Sequence, residues 1–210
     1  MNAIRNMVRA FMRRMARVLN RASGGKLTPN MVTIFGFLMH IPVAFLVATR
    51  HNLWAAGLLV VFGLLDTLDG QLAQLQKRES ARGMLLDSAT DRMKEVLLYI
   101  GAAYAIIQST GRPYLAVWAV AAVGCSLLVS YMNAWGDAVA AKYNIGKHSA
   151  NKAFRGGLMP FEIRMTVLVV GLLSNRVALA VIVVAVGSAF TALMRLLGAY
   201  ERLGKDDVQG

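Results

Sequence analysis

The chain has 210 residues, of which 57% are hydrophobic and only 16% charged, with 23 Lys and Arg against 11 Asp and Glu for a net charge of +12. A soluble domain is about a quarter charged, so this composition excludes an ordinary water-soluble fold, a disordered chain and, with Cys125 as the single cysteine, a disulfide-stapled secreted domain. Beside long apolar runs, the basic excess points to anionic lipid and membrane topology rather than to nucleic acid.

At the start of the chain, Arg5, Arg9, Arg13, Arg17 and Arg21 recur at every fourth position and share one stripe of a helix. Met7, Phe11, Met15, Val18 and Leu19 occupy another face. This pattern predicts an interfacial helix on the cytoplasmic leaflet, its basic side toward lipid phosphates. Gly24-Gly25 breaks it, and Thr28-Pro29-Asn30 opens the next helix.

Six stretches then approach the roughly 20 apolar residues that a spanning helix needs: 31–49, 53–75, 85–108, 114–135, 158–173 and 177–197. The short connections after the first, third and fifth carry one basic residue each, Arg50, Arg112 and Arg176. All other Lys and Arg fall on the opposite side, which the positive-inside bias places in the cytoplasm together with both termini. The expected fold is an all-α polytopic protein of the cell membrane. It comprises an amphipathic juxtamembrane helix (1–26), a domain of six transmembrane helices (27–200) and a cytoplasmic tail (201–210).

Four of the acidic residues lie where lipid or headgroups should be. Asp66 and Asp69 are i,i+3 at the cytoplasmic end of the second span, and Asp87 and Asp91 are i,i+4 at the start of the third. Each pair shares one side of its helix, and the short Gln71–Leu86 connection holds the two helices side by side. Aspartates solvated at helix ends would explain one or two such residues, but not four in paired registers. Carboxylates this close need cations, and Mg²⁺ or Mn²⁺ suits an oxygen-donor site that also holds phosphates. Two such ions would clamp a displacement at phosphorus. Gly70 and Gly83 flank the cluster, where a missing Cβ lets a phosphate approach the backbone. A cation transporter using the aspartates is the competing reading, weakened because the acids crowd one end of the bundle.

The run Asp66-x2-Asp69-Gly70-x2-Ala73-x9-Gly83-x3-Asp87-x3-Asp91 resembles the signature of the CDP-alcohol phosphotransferases, six-span membrane enzymes of phospholipid synthesis. Gln74 stands where the family pattern has arginine; every other fixed position matches. Lys77, Arg78 or Arg82 could replace that charge, with Arg78 at i+4 best placed.

The resemblance implies transfer of a phosphatidyl group from a CDP-linked lipid such as CDP-diacylglycerol to a small alcohol, with release of CMP, and a homodimer. It further implies that Asp66, Asp69 and Asp87 hold one metal ion, that Asp66, Asp87 and Asp91 hold or border a second, and that Asp91 is the general base. Asn30, Met31, Val32 and Thr33, with Gly70, Gln74, Ser80 and Gly83, would form the CDP-alcohol site.

On the acceptor side, family members that use phosphorylated acceptors such as inositol phosphate carry basic residues in the region that here holds Lys152, Arg155 and Arg164. Arg164 lies within the fifth span and needs a partner there. Asn133 and Trp135 stand where those members have basic residues. Inositol phosphate or glycerol phosphate is therefore the expected acceptor, and a neutral alcohol stays open. Elsewhere, His40, His51, His148 and Cys125 show no ligand spacing, and Gly101 and Ala105, four residues apart, predict a close helix contact.

Overall fold

In the computed structural model the described residues are 2–142 and 157–206, and all the regular elements among them are helices. They form two compact units, Met1–Gly101 and Ala102–Gly210. Among the described residues, four stretches are long and apolar enough to cross a bilayer: Pro29–Ala48, Asn52–Gln76, Pro113–Val139 and Val177–Glu201.

The first unit opens with α1 (Asn2–Ala22), closed by Gly24 and Gly25 at φ +58° and +76°. Gly25 N–H donates to Asn20 O at 2.9 Å, a helix stop that the left-handed backbone permits. Val8, Met12, Ala16 and Leu19 pack on Leu68 and Leu72 of α4 (Leu65–Gln76). The adjoining Met7, Phe11, Met15 and Val18 are exposed, as are Arg9, Arg13, Arg17 and Arg21 on the far side. An apolar helix face carries no label for lipid or protein; here half of it is spent on a neighbouring helix. Arg13 Nε also donates to Gln71 Oε1 at 3.2 Å, and Gln76 Nε2 donates to Asn20 Oδ1 and Leu27 O at 2.7 and 2.8 Å.

α2 (Pro29–Ala48) begins at the expected place. Thr28 caps it by accepting from Met31 N–H at 3.3 Å, with Pro29 in the first turn. The second expected span is made of two pieces, α3 (Asn52–Gly63) and α4, interrupted at Leu64 just after the weak helix former Gly63. α4 ends where Lys77 turns left-handed at φ +54° and Arg78 N–H reaches back to Ala73 O at 2.9 Å. Only residues 77–80 therefore separate it from α5 (Ala81–Thr110), a tighter turn than the 71–86 connection anticipated.

α5 has 30 residues, and its first half carries Asp87, Asp91, Arg92, Lys94 and Glu95, so the third expected span is charged over much of its length. At Gly101 it crosses α2 so closely that a Cβ would collide with the Ala44 carbonyl oxygen. Gly101→Ala should therefore cost about 1–3 kcal/mol, the usual toll of overpacking, read as a lower Tm in detergent. An unchanged Tm would show that the crossing can widen freely.

In the second unit, a 3-10 turn (Pro113–Ala116) leads into α6 (Val117–Lys142). α7 (Phe161–Leu173) and α8 (Val177–Asp206) follow. α8 packs against both of the others, through buried Val181, Val184 and Thr191. At 13 residues, α7 is roughly 20 Å long, short of a hydrocarbon core of roughly 30 Å, which separates it from the other spans. Met159 N–H donates to Thr191 Oγ1 at 3.1 Å, fixing the entry to α7 on α8.

Candidate active site

α4 and α5 bring three of the four aspartates into one group. Carboxylate oxygens of Asp66, Asp69 and Asp87 all lie within 4.8 Å of one another. The i,i+3 spacing on α4 turns Asp66 and Asp69 toward α5, and the turn at 77–80 brings Asp87 back beside them.

Asp69 is 5% exposed and accepts from Thr33 Oγ1 at 2.6 Å, so the start of α2 orients it. Asp87 Oδ1 is buried with no hydrogen-bond partner. A buried carboxylate oxygen left unmatched is costly in the interior, and a hard cation beside two further carboxylates is what would match it. The donor set, all oxygen and anionic, fits Mg²⁺ or Mn²⁺.

Asp91 stands apart from this group. Its Oδ1 lies 3.1 Å from Lys94 Nζ, and the same ammonium lies 2.5 Å from Asp66 Oδ1. The residue reading overlooked Lys94, although i+3 from Asp91 and i+7 from Asp87 put it on their helical face. Arg92 pairs instead with buried Glu95 at 3.0 Å.

Beside the aspartates is a cavity of about 510 Å³. Of the residues assigned to the nucleotide, Asn30, Thr33, Gly70, Gln74, Ser80 and Gly83 line it, together with Asp69, Asp87 and Arg78. Met31 and Val32 are not in its lining: Met31 is exposed, and Val32 belongs to the core between α1 and α4. At Gly70 a Cβ would meet nothing within 4 Å, whereas at Gly83 it would press on Asn30 Oδ1 and Ser80 Oγ, both at 3.3 Å. Ser80 Oγ accepts from Gly83 N–H at 3.1 Å and so caps α5. Gln74 and Arg78 face the same cavity, which keeps Arg78 available to meet an anion that Gln74 cannot.

Thr33 acts on the cluster from behind. Thr33→Val should keep the packing, leave Asp69 without its donor and weaken divalent-ion binding by about 10–100-fold, the range for groups that support a ligand. A titration with Mn²⁺ measures this, and unaltered affinity would reduce Thr33 to packing.

Of the residues assigned to the acceptor, Lys152 and Arg155 lie outside the described residues. Arg164, in the second unit, is 1% exposed, donates to Met159 O at 2.9 Å and sits 5.8 Å from the Phe161 ring centre. Arg195 of α8 was not singled out from the sequence. It is 3% exposed and donates to Val129 O and Asn133 Oδ1, both at 2.7 Å. An arginine deep in an apolar helix is the signal that would have found it. His40 is buried and bonded through Nδ1 to Gly36 O at 2.7 Å, a packing role.

A sequence profile of the CDP-alcohol phosphatidyltransferases matches residues 26–193. The archaetidylinositol phosphate synthase of Pyrococcus horikoshii is 30% identical over 203 residues, covering 97% of this chain and 98% of that protein. The phosphatidylinositol phosphate synthase of Corynebacterium glutamicum is 29% identical over 182 residues, covering 83% of this chain and 78% of its own. Among solved structures, Mycobacterium tuberculosis phosphatidylinositol phosphate synthase with CDP-DAG bound has the same fold, with a TM-score of 0.75 at 23% identity over 90% of this chain and 93% of that one. The same enzyme in complex with manganese and citrate matches with the same TM-score and identity, over 90% of this chain and 88% of that one.

Proposed function

Because the chain belongs to the CDP-alcohol phosphatidyltransferase family, and so is a membrane phosphotransferase of phospholipid synthesis, we propose that it joins a CDP-linked lipid such as CDP-diacylglycerol to a phosphorylated polyol. The new bond runs from an acceptor hydroxyl oxygen to the phosphorus that carries the lipid. The bond that breaks releases CMP. The acceptor best supported is an inositol phosphate, the head group in the names of the relatives that align over most of the chain.

The observation that carries this reading is the meeting of Asp66, Asp69 and Asp87, the last two of which line a cavity together with Asn30, Gly70 and Gly83. A divalent ion, Mg²⁺ or Mn²⁺, held by the three carboxylates would supply charge compensation for the diphosphate and the departing CMP. The chain's own residues do the rest. Gly70, with open space where a Cβ would stand, lets the diphosphate lie against the backbone. Arg78 offers the positive charge that Gln74 lacks. Asp91 takes the proton from the acceptor hydroxyl as general base. Arg164 and Arg195, buried guanidiniums of the second unit, together with Lys152 and Arg155, are the candidates for the acceptor's phosphate. The same reading keeps six spans in the cell membrane by counting the charged α5 and the short α7 among them, with α1 at the lipid surface and the catalytic end in the cytoplasm.

The test is release of CMP by membranes containing the full chain, supplied with labelled CDP-diacylglycerol or its archaeal ether counterpart, Mg²⁺ and a panel of acceptors. Release is expected with inositol phosphate and not with free inositol or amino alcohols. Release with a neutral alcohol alone would overturn the acceptor assignment, and no release with any acceptor would overturn the transfer itself.

A further inference from the structure

Lys94 is 2% exposed, and its ammonium spans two carboxylates from different helices, Asp66 of α4 and Asp91 of α5. These are two of the three aspartates that a second metal ion would have to share, since the first group already consists of Asp66, Asp69 and Asp87. We propose that Lys94 is a built-in cation standing in the second ion's place, so that the chain holds one divalent ion and Lys94 positions Asp91.

Space and charge both point this way. Mg²⁺ takes carboxylate oxygens at about 2.0–2.1 Å, whereas Lys94 Nζ already stands at hydrogen-bond distance from Asp66 Oδ1 and Asp91 Oδ1. An ion bridging the same pair would meet a positive charge only a few ångströms away in an interior that screens poorly. The ammonium has no retreat, because its side chain is sealed from solvent and leaving both carboxylates would strand a buried charge. With one oxygen of Asp91 committed to Lys94, the carboxylate is fixed in orientation without being a metal ligand, which suits a group that must accept a proton. Lys94 is thus a positioning residue. What it does for turnover rests on the transferase reading; what it does to metal stoichiometry does not.

The experiment is a Mn²⁺ titration of the purified full chain in lipid nanodiscs, followed by electron paramagnetic resonance, with and without CDP-diacylglycerol. The wild type is expected to bind one Mn²⁺ per chain with the spectrum of an isolated ion. Lys94→Met, of similar length but neutral, is expected to take up a second Mn²⁺ and show coupling between the two, while Lys94→Arg should stay at one. A wild type that binds two coupled ions overturns the proposal whether or not the variants fold. A folded Lys94→Met that remains at one overturns it as well. CMP release measured on the same preparation separates the two readings: one ion and no release overturns the transfer but not the role of Lys94, and release with two ions does the reverse.

Discussion

Asp91→Asn is expected to lower CMP release by about 10²–10⁴-fold, the usual contribution of a positioned base, while leaving binding of the CDP-linked donor nearly intact. The amide keeps the shape and can still meet Lys94 through its oxygen, so the packing around Asp66 should hold. It cannot take a proton. Asp91 lies outside the group formed by Asp66, Asp69 and Asp87, so its loss removes no charge from the metal's immediate neighbours. Donor binding and the rate of a single turnover should therefore separate, the first unchanged and the second collapsed. Added Mn²⁺ should not restore the rate. If donor affinity falls as far as it does when a member of the metal group is replaced, Asp91 is a ligand and the assignment of a base is wrong.

The pairing of the aspartates could be read from spacing because helical periodicity acts locally: i,i+3 and i,i+4 put Asp66 with Asp69 and Asp87 with Asp91 whatever the rest of the fold does. That Asp87 meets Asp66 and Asp69 follows from the shortness of the connection, and the turn at Lys77 makes it shorter still. Lys94 was hidden for a different reason. A basic residue near the cytoplasmic end of a span looks like part of the positive-inside surplus, and only its burial between Asp66 and Asp91 sets it apart. Arg195 was lost inside a long apolar run, where the pattern reports hydrophobic content and not the one side chain that departs from it. The docking of α1 on α4 and the break at Leu64 depend on what each helix packs against, and no single-helix pattern encodes that. The fifth span illustrates the same limit: it is expected from 158 to 173, yet the helix starts at Phe161, after Pro160, with the preceding backbone tied to Thr191.

Asp69→Asn should act on metal binding where Asp91→Asn acts on proton transfer. Asp69 is the most buried of the four aspartates and is held at 2.6 Å by Thr33, so an amide of the same size keeps that hydrogen bond and the local fold. What changes is one negative charge beside Asp66 and Asp87. Removing a direct ligand should weaken Mn²⁺ binding by more than the roughly 10–100-fold seen when only a supporting group is lost, and donor affinity and CMP release should fall with it. Because the defect is one of occupancy, raising Mn²⁺ should recover part of the lost rate. The two variants therefore make a contrast that neither makes alone: high Mn²⁺ rescues Asp69→Asn and leaves Asp91→Asn inactive. Rescue of both would place Asp91 among the ligands, and rescue of neither would mean that Asp69 serves the chemistry itself and not the site that holds the ion.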